Sequence, residues 1–402
     1  MAWSDKETKM AKITRRGFFG ALTSGVVGLG ITTQRGAGAA SRSLRGIQSD
    51  SPRIIKYNTL GKTGLKVSDV SCGAISFFEP NVLRYAQELG VTYFDTAESY
   101  MRSRSESLIG DALSEVRDKV ILTTKHNYSR GEITKESIIQ RLEDSLKRMK
   151  TDFIDVALCH SVDDLKLLEN PELRAAYAQL KKDGKIRFTG FSTHNAKLTL
   201  KQALDSDFVE VVLVIYNHLQ GPEIEPLLKP VHDKGIGVVA MKVFAGGKHG
   251  TLQSLVNQQV SYPQAALRWV LSNTSVDTCI PTMSSYSHVE EYVSASGKPL
   301  DRAGLGVIAE YRRQAGNQYC RVGCTECQAA CPGNVAVNDV LRFAMYFEDY
   351  RMQKDAMHYY SELESSRKPL SCAACAGTCE SSCPHGLKVR DKLVHAHEIL
   401  SV

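Results

Sequence analysis

Before residue 320 the chain has little cysteine: Cys72, Cys159 and Cys279 stand alone among 402 residues. The larger part of the molecule is therefore not organised by cysteine chemistry. Past the first forty residues, no segment is apolar over the ~20 positions that a membrane-spanning helix needs. Charge of one sign is scarce as well. The net charge of +6 is concentrated at the start, where Lys6, Lys9, Lys12, Arg15, Arg16 and Arg35 face only Asp5 and Glu7. The remainder is close to neutral and has no basic stripe with interleaved aromatics, so nucleic acid is not an expected partner. Hydrophobic residues at 43% and charged residues at 23% are ordinary for a folded protein. The length suits one large domain and one smaller domain.

The first thirty-nine residues read as a targeting segment. Arg15 and Arg16 precede Phe18 and Phe19, a mildly apolar, glycine-rich stretch runs from Ala21 to Ile31, and small residues follow at 37–39. The order of charge, apolar run and small residues resembles a twin-arginine export signal, with Thr14 where serine is usual. The resemblance implies export through the twin-arginine translocase to a periplasmic or otherwise extracytoplasmic place. A disordered tail with a chance Arg-Arg pair is the alternative. A linker is expected over 40–55.

From Val67 to Thr282 short β-branched runs alternate with amphipathic segments. The runs are VSDVSCGA, VTYFDTA, VILTTK, IDVALCH, IRFTGFS, VEVVLVIY, IGVVAMKVF and TCIPTM. Their continuous apolarity is what parallel strands show when both faces are covered. Helices are expected between and after them, near 81–89, 104–116, 134–149, 170–184, 196–205, 222–234, 262–272 and 286–296. Eight such pairs predict a (β/α)8 TIM barrel over 56–300. An open doubly wound sheet is the competing arrangement, and the lack of a glycine-rich dinucleotide fingerprint after the first strand weighs against it.

Apolar runs here end on ionisable groups. Asp95 ends the second run, Lys125 the third and His160 the fourth, with Tyr100 just beyond Asp95. Barrel enzymes keep their reacting groups at the C-terminal ends of strands, so these four should converge on one mouth. Each alone has a bland reading as cap, surface charge or core residue.

With FDTAESY, TTKH, LCHS, GKIRFTGFSTH, YNHLQ and GIGVVAMKVFAGG in order, the chain resembles an aldo-keto reductase. The resemblance implies carbonyl/alcohol interconversion of a small molecule, with NAD(P) as cofactor. It makes Tyr100 the general acid or base, with Lys125 lowering its pKa, Asp95 holding Lys125 and His160 orienting the carbonyl. Tyr216 matches the aromatic that stacks on nicotinamide, with core packing as the alternative. Ser192 matches part of the segment that contacts the cofactor amide. Ser284, Ser285 and Glu291 resemble phosphate and adenine contacts. That last segment has no Arg or Lys for a 2′-phosphate, and Tyr292 replaces the usual Asn, which leaves NADP over NAD undecided. The short stretch after the first run implies a mouth more open on that side.

Eight cysteines close the chain. Cys320, Cys324, Cys327 and Cys331 form one run, and Cys372, Cys375, Cys379 and Cys383 the other, each ending in Cys-Pro. Both resemble the bacterial ferredoxin run with one residue inserted. The resemblance implies two [4Fe-4S] clusters in a mainly helical ferredoxin-like domain over 301–402. It also implies that the last cysteine of each run serves the other cluster, and that an electron-transfer partner exists. Structural zinc and disulfides are the alternatives. The other functional reading is an iron–sulfur electron-transfer or binding protein with a catalytically silent barrel.

Overall fold

The computed structural model describes residues 51–401 apart from 77–78, 130–132, 248–251 and 256–258. The expected export segment over 1–39, and residues 40–50 of the expected linker, lie outside the described residues. The described chain opens with an antiparallel hairpin, β1 (Tyr57–Thr59) and β2 (Lys66–Ser68). Eight parallel strands follow: β3 (Cys72–Gly73), β4 (Tyr93–Asp95), β5 (Ile121–His126), β6 (Ile154–Cys159), β7 (Ile186–Thr193), β8 (Val211–Ile215), β9 (Gly237–Met241) and β10 (Thr278–Cys279). Each pairs with the next in sequence order. The ring closes between first and last: Ser71 N–H donates to the Cys279 carbonyl at 2.8 Å and Gly73 N–H to that of Pro281 at 2.9 Å. Closure needs glycine at 73, because a Cβ there would stand 2.8 Å from the Ile280 carbonyl oxygen. This is the expected (β/α)8 arrangement.

The helical layer is α1 (Pro80–Glu88), α2 (Arg104–Leu113), α3 (Lys135–Met149), α4 (Pro171–Lys182), α5 (Ala196–Ala203), α6 (Gly221–Asp233), α7 (Tyr262–Leu271) and α8 (Tyr286–Val293). Local chemistry sets several ends. Thr134 caps α3 by accepting from Ser137 N–H at 3.2 Å. Asn170 caps α4 by accepting from Glu172 and Leu173, with Pro171 at the first helical position, where its missing N–H costs nothing.

One expected strand is two. VSDVSCGA does not run straight: its first part pairs in the hairpin, and from Val70, which bridges Cys279, the chain enters the barrel, with Cys72–Gly73 as the strand proper. Asp69 breaks it. Its N–H donates to the Lys56 carbonyl on the hairpin side and its carbonyl accepts from Cys279 N–H on the barrel side, while its carboxylate accepts from Val70 N–H at 2.9 Å, Ser296 Oγ at 2.6 Å and Gly297 N–H at 2.8 Å and fixes the turn between them. The hairpin packs Leu60, Leu65 and Val67 against Tyr93, Val156, Val211 and Val239 inside the barrel, plugging the end opposite the mouth.

Past the barrel comes α9 (Arg302–Ala315), capped by Asp301. It starts just beyond the boundary expected at 300, yet Val307, Ile308 and Tyr311 pack on Ala265 and Ala266 of α7. Then follow α10 (Glu326–Ala329), α11 (Val337–Glu348), α12 (Gln353–Ser361), α13 (Thr378–Ser381) and α14 (Val389–Leu400). The layout repeats: a one-turn helix bears the third cysteine of each run, and a twelve-residue helix follows the Cys-Pro. The core of this region takes in Ile215 and packs against Ile75, Leu219 and Met241 at the barrel mouth. It is therefore a roof.

Candidate active site

Side chains along a strand alternate between its two faces, and that decides what reaches the mouth. Tyr93, Val156, Leu158 and Leu213 face the barrel interior. Asp95 and His160 keep that phase in β4 and just past β6, and Lys125 keeps the phase of Ile121 in β5.

The four converge. Lys125 Nζ donates to Asp95 Oδ1 and to the Thr96 carbonyl, both at 2.5 Å. It also stands 4.8 Å from the Tyr100 ring centroid. The Tyr100 ring meets that of His160 edge-on at 5.6 Å. Asp95 and Lys125 are buried at 2% and 1% exposure. Burial pushes the Asp95 carboxyl up and the Lys125 ammonium down, each opposed by the attraction of its partner.

The expected effect of Lys125 on Tyr100 is not what the structure has. Burial first, then the Asp95 charge, then Tyr346 and Tyr359, hold the Tyr100 phenol well above the usual value near 10. The ammonium is committed to Asp95 and Thr96 and sits by the ring face. Tyr100 is thus kept protonated, in the form that donates. His160 is held well below its usual value by burial and by Lys125, Lys242, His126 and Arg342. It is neutral, able to donate one hydrogen bond without carrying charge.

A cavity of about 580 Å³ opens from this centre, lined by Asp95, Tyr100, Lys242, Ser284, Ser285 and Arg351 among others. Ser285 caps α8 by accepting from His288 N–H at 3.2 Å, and Ser284 Oγ lies 3.1 Å from His288 Nδ1. Glu291 is not in the cavity wall; its charge acts on His288 and Tyr292, which are. Ser192 is buried and accepts from Ser161 N–H at 2.9 Å. Tyr216 is not in the wall either. It follows Val212 and Val214 on the outward phase, packs on Trp269 at 5.1 Å and accepts from Asn273 Nδ2 at 3.0 Å. The alternation of VVLVIY already placed it there.

Sequence reasoning missed the roof. The side expected to be open is covered: Ser76 Oγ donates to the Tyr350 carbonyl at 3.3 Å, and Asp349, Tyr350 and Arg351 line the cavity. Arg351 also brings the cation that the segment after β10 lacks, close enough to depress His288. Arg342 of α11 lies 3.1 Å from His194 Nδ1. None of these has a local signature. Lys242, ending GIGVVAMK, had one: it closes an apolar run just as Lys125 does.

All eleven cysteines are free. Burial pushes the Cys320 thiol up to about 12, with Cys327, Cys324 and Cys383 adding to the rise. Cys372 is pushed up to about 11 by burial and by Cys331, Cys379 and Cys375. Cys320 thus feels Cys383 of the second run, and Cys372 feels Cys331 of the first. Among the described residues no three His, Cys, Asp or Glu are drawn close enough for one metal ion. Cys72 and Cys159 are buried core thiols, each raised by burial to about 12.

Residues 79–312 match the Aldo/keto reductase family. L-galactose dehydrogenase of Arabidopsis thaliana is 28% identical over 280 residues, covering 60% of this chain and 88% of that protein. Methylglyoxal reductase YeaE of Escherichia coli is 29% identical over 243 residues, covering 57% and 83%. The holo form of aldo-keto reductase AKR11C1 from Bacillus halodurans shares the fold, with a TM-score of 0.54 at 24% identity over 64% of this chain and 96% of that one.

Proposed function

The chain belongs to the aldo/keto reductase family and is an oxidoreductase; from that premise we propose that it is an exported enzyme that interconverts a small carbonyl compound and its alcohol at the roofed mouth, with NAD(P) as hydride carrier. The observation that carries this reading is the convergence of Asp95, Lys125, Tyr100 and His160 on one another, with Asp95 and Tyr100 lining the cavity. NAD(P), when bound, supplies or accepts the hydride. The donor set suits its phosphates: Ser284 and Ser285 at the start of α8, with Lys242 and Arg351 as cations on the same wall.

The chain's own residues do the rest. Neutral His160 donates to the carbonyl oxygen and orients it. Tyr100, kept protonated by burial and Asp95, gives its proton as the oxygen gains charge. Asp95 and the Thr96 carbonyl fix Lys125, whose positive charge faces the developing negative one. The roof keeps bulk water from the centre. Tyr100→Phe should lower methylglyoxal reduction with NADPH or NADH about 100-fold or more, with unchanged folding by circular dichroism. Near-normal turnover would remove Tyr100 from this role.

The second part of the reading concerns the cysteines. One [4Fe-4S] cluster would be held by Cys320, Cys324, Cys327 and Cys383, the other by Cys331, Cys372, Cys375 and Cys379. The donor type suits it: eight free thiols in two runs, with Cys320 under the influence of Cys383 and Cys372 under that of Cys331 across the runs. Such clusters supply one-electron transfer to a partner protein. Iron and acid-labile sulfide near eight per chain are expected after anaerobic purification; stoichiometric zinc without iron would overturn it. Export is tested by fractionation, with Arg15→Lys/Arg16→Lys holding the protein in the cytoplasm.

A further inference from the structure

One cation in the cavity wall comes from outside the barrel. Arg351 lies beyond residues 79–312, the part that matches the family, and still lines the cavity with Ser284, Ser285, His288 and Tyr292. The roof fixes its place. Tyr350 N–H and Met352 N–H close the end of α11 on the Met345 and Tyr346 carbonyls at 3.3 and 3.0 Å, and the Met352 side chain is buried. On the barrel side Ser76 Oγ donates to the Tyr350 carbonyl. Arg351 stands between these anchors with a left-handed backbone, φ 56°. Glycine is the residue with least strain at such a helix stop. The Arg351 side chain is exposed, and among the described residues no carboxylate lies within ion-pair distance of it.

The wall nearby suits the adenosine end of a nucleotide. His288 and Tyr292, one turn apart on α8, stack with ring centroids 5.3 Å apart and planes 11° apart, and both line the cavity. A flat aromatic wall of this kind can take a purine. Arg351 is close enough for its charge to act on His288. The other charges in the wall stand elsewhere: Asp95 at the end of β4 and Lys242 just past β9. Asp349 lines the cavity too, but a Cβ on Gly247, beyond β9, would lie 3.6 Å from the Asp349 Cβ. Asp349 also borders the smaller space beside Gly246 and Tyr319. The acid therefore belongs to the β9 side and the guanidinium to the α8 side.

We propose that Arg351 makes this site prefer NADP over NAD, by binding the 2′-phosphate of the adenosine from the roof. A planar fork of N–H donors matches a phosphate dianion and gains little from a 2′-hydroxyl. The barrel's own segment over 284–292 has neither Arg nor Lys, so the C-terminal helices set a selectivity that the barrel leaves open. Arg351 acts on the nucleotide, and this rests on the proposed binding of NAD(P).

The test is calorimetric titration of the purified full-length protein with NADPH, NADH, adenosine 2′,5′-bisphosphate and adenosine 5′-monophosphate. The bisphosphate should bind about tenfold or more tighter than the monophosphate, and NADPH than NADH by a similar factor, the effect of one charge-assisted contact. Arg351→Met should close both gaps by weakening the 2′-phosphorylated member of each pair, with NADH and the monophosphate unchanged. Arg351→Gly, which suits the left-handed backbone, should do the same without loss of thermal stability. Asp349→Asn should narrow neither gap. Equal affinities within each pair in the wild type, or gaps that survive in both Arg351 variants, overturn the proposal. The two failures separate: NADH and NADPH bound alike leave the nicotinamide reading standing and remove Arg351 alone, whereas a protein that binds none of the four counts against that reading and takes this proposal with it.

Discussion

At the scale of single residues, Lys125 is a tightly held buried charge. It is 1% exposed, and both its acceptors stand at 2.5 Å. Removing one member of a buried pair strands the other, at a cost of about 3–5 kcal/mol. Lys125→Met should lose that much by chemical denaturation at neutral pH, and adding Asp95→Asn should recover a large part. A double variant no more stable than the single one would show that the pair is not what holds this region. Asp95, Lys125 and His160 could be read from sequence because each ends an apolar run, and a run fixes both the position and the phase of its last residue. Tyr216 was open to the same argument, since its odd-even relation to Leu213 turns it outward. Arg342 and Arg351 could not be found this way. Their roles depend on which surface α11 lies against, and helical periodicity is silent about that.

At the scale of elements, the alternation of runs and amphipathic stretches translated closely into β3–β10 and α1–α8, because burial on both faces leaves parallel strands few other compositions. The hairpin and the seat of α9 did not. Both depend on side chains far apart in sequence: the first on the Asp69 carboxylate reaching Ser296 and Gly297, the second on α9 meeting α7. The seat of α9 has a pH-sensitive lock. Arg312 donates through Nε to His218 Nδ1 at 3.3 Å and through Nη2 to the His218 carbonyl at 2.5 Å. His218 Nε2 lies 2.9 Å from the Tyr262 hydroxyl, which itself donates to the Phe244 carbonyl. Only a neutral ring with its proton on Nε2 satisfies all of these. Burial and then Arg312 and Arg321 bring His218 down to about 3, against about 6.5 in an unfolded chain. Between these values the unfolded state binds the extra proton, so stability is full above about 6.5 and falls as pH drops toward 3. His218→Gln should flatten that part of the stability–pH curve measured by urea denaturation; an unchanged slope would assign the acid loss to other groups.

At the scale of the whole molecule, the barrel is half of an active site and the C-terminal helices are its roof. Their joint is close. Gly323 has φ +85°, and a Cβ there would fall 1.9 Å from the His194 carbonyl oxygen, so no side chain fits without lifting the roof. Gly323→Ala should loosen the Arg342–His194 contact and admit protease between α9 and α10, with the barrel itself intact; wild-type resistance to limited proteolysis would show that the joint tolerates more than its geometry suggests. Sequence could announce two cysteine runs, but not that the helices between them would cover the mouth, because neither half carries a mark of the other's surface. The crossed grouping of thiols also bears on the order in which the protein is made. In the proposed sets the first takes Cys320, Cys324 and Cys327 from one run and Cys383 from the other. A growing chain therefore has every member of the second group once Cys379 has left the ribosome, but lacks the last member of the first until Cys383 has. Truncation before residue 379 leaves both groups short at once, and truncation between 379 and 383 leaves the first short alone, so the roof matures late.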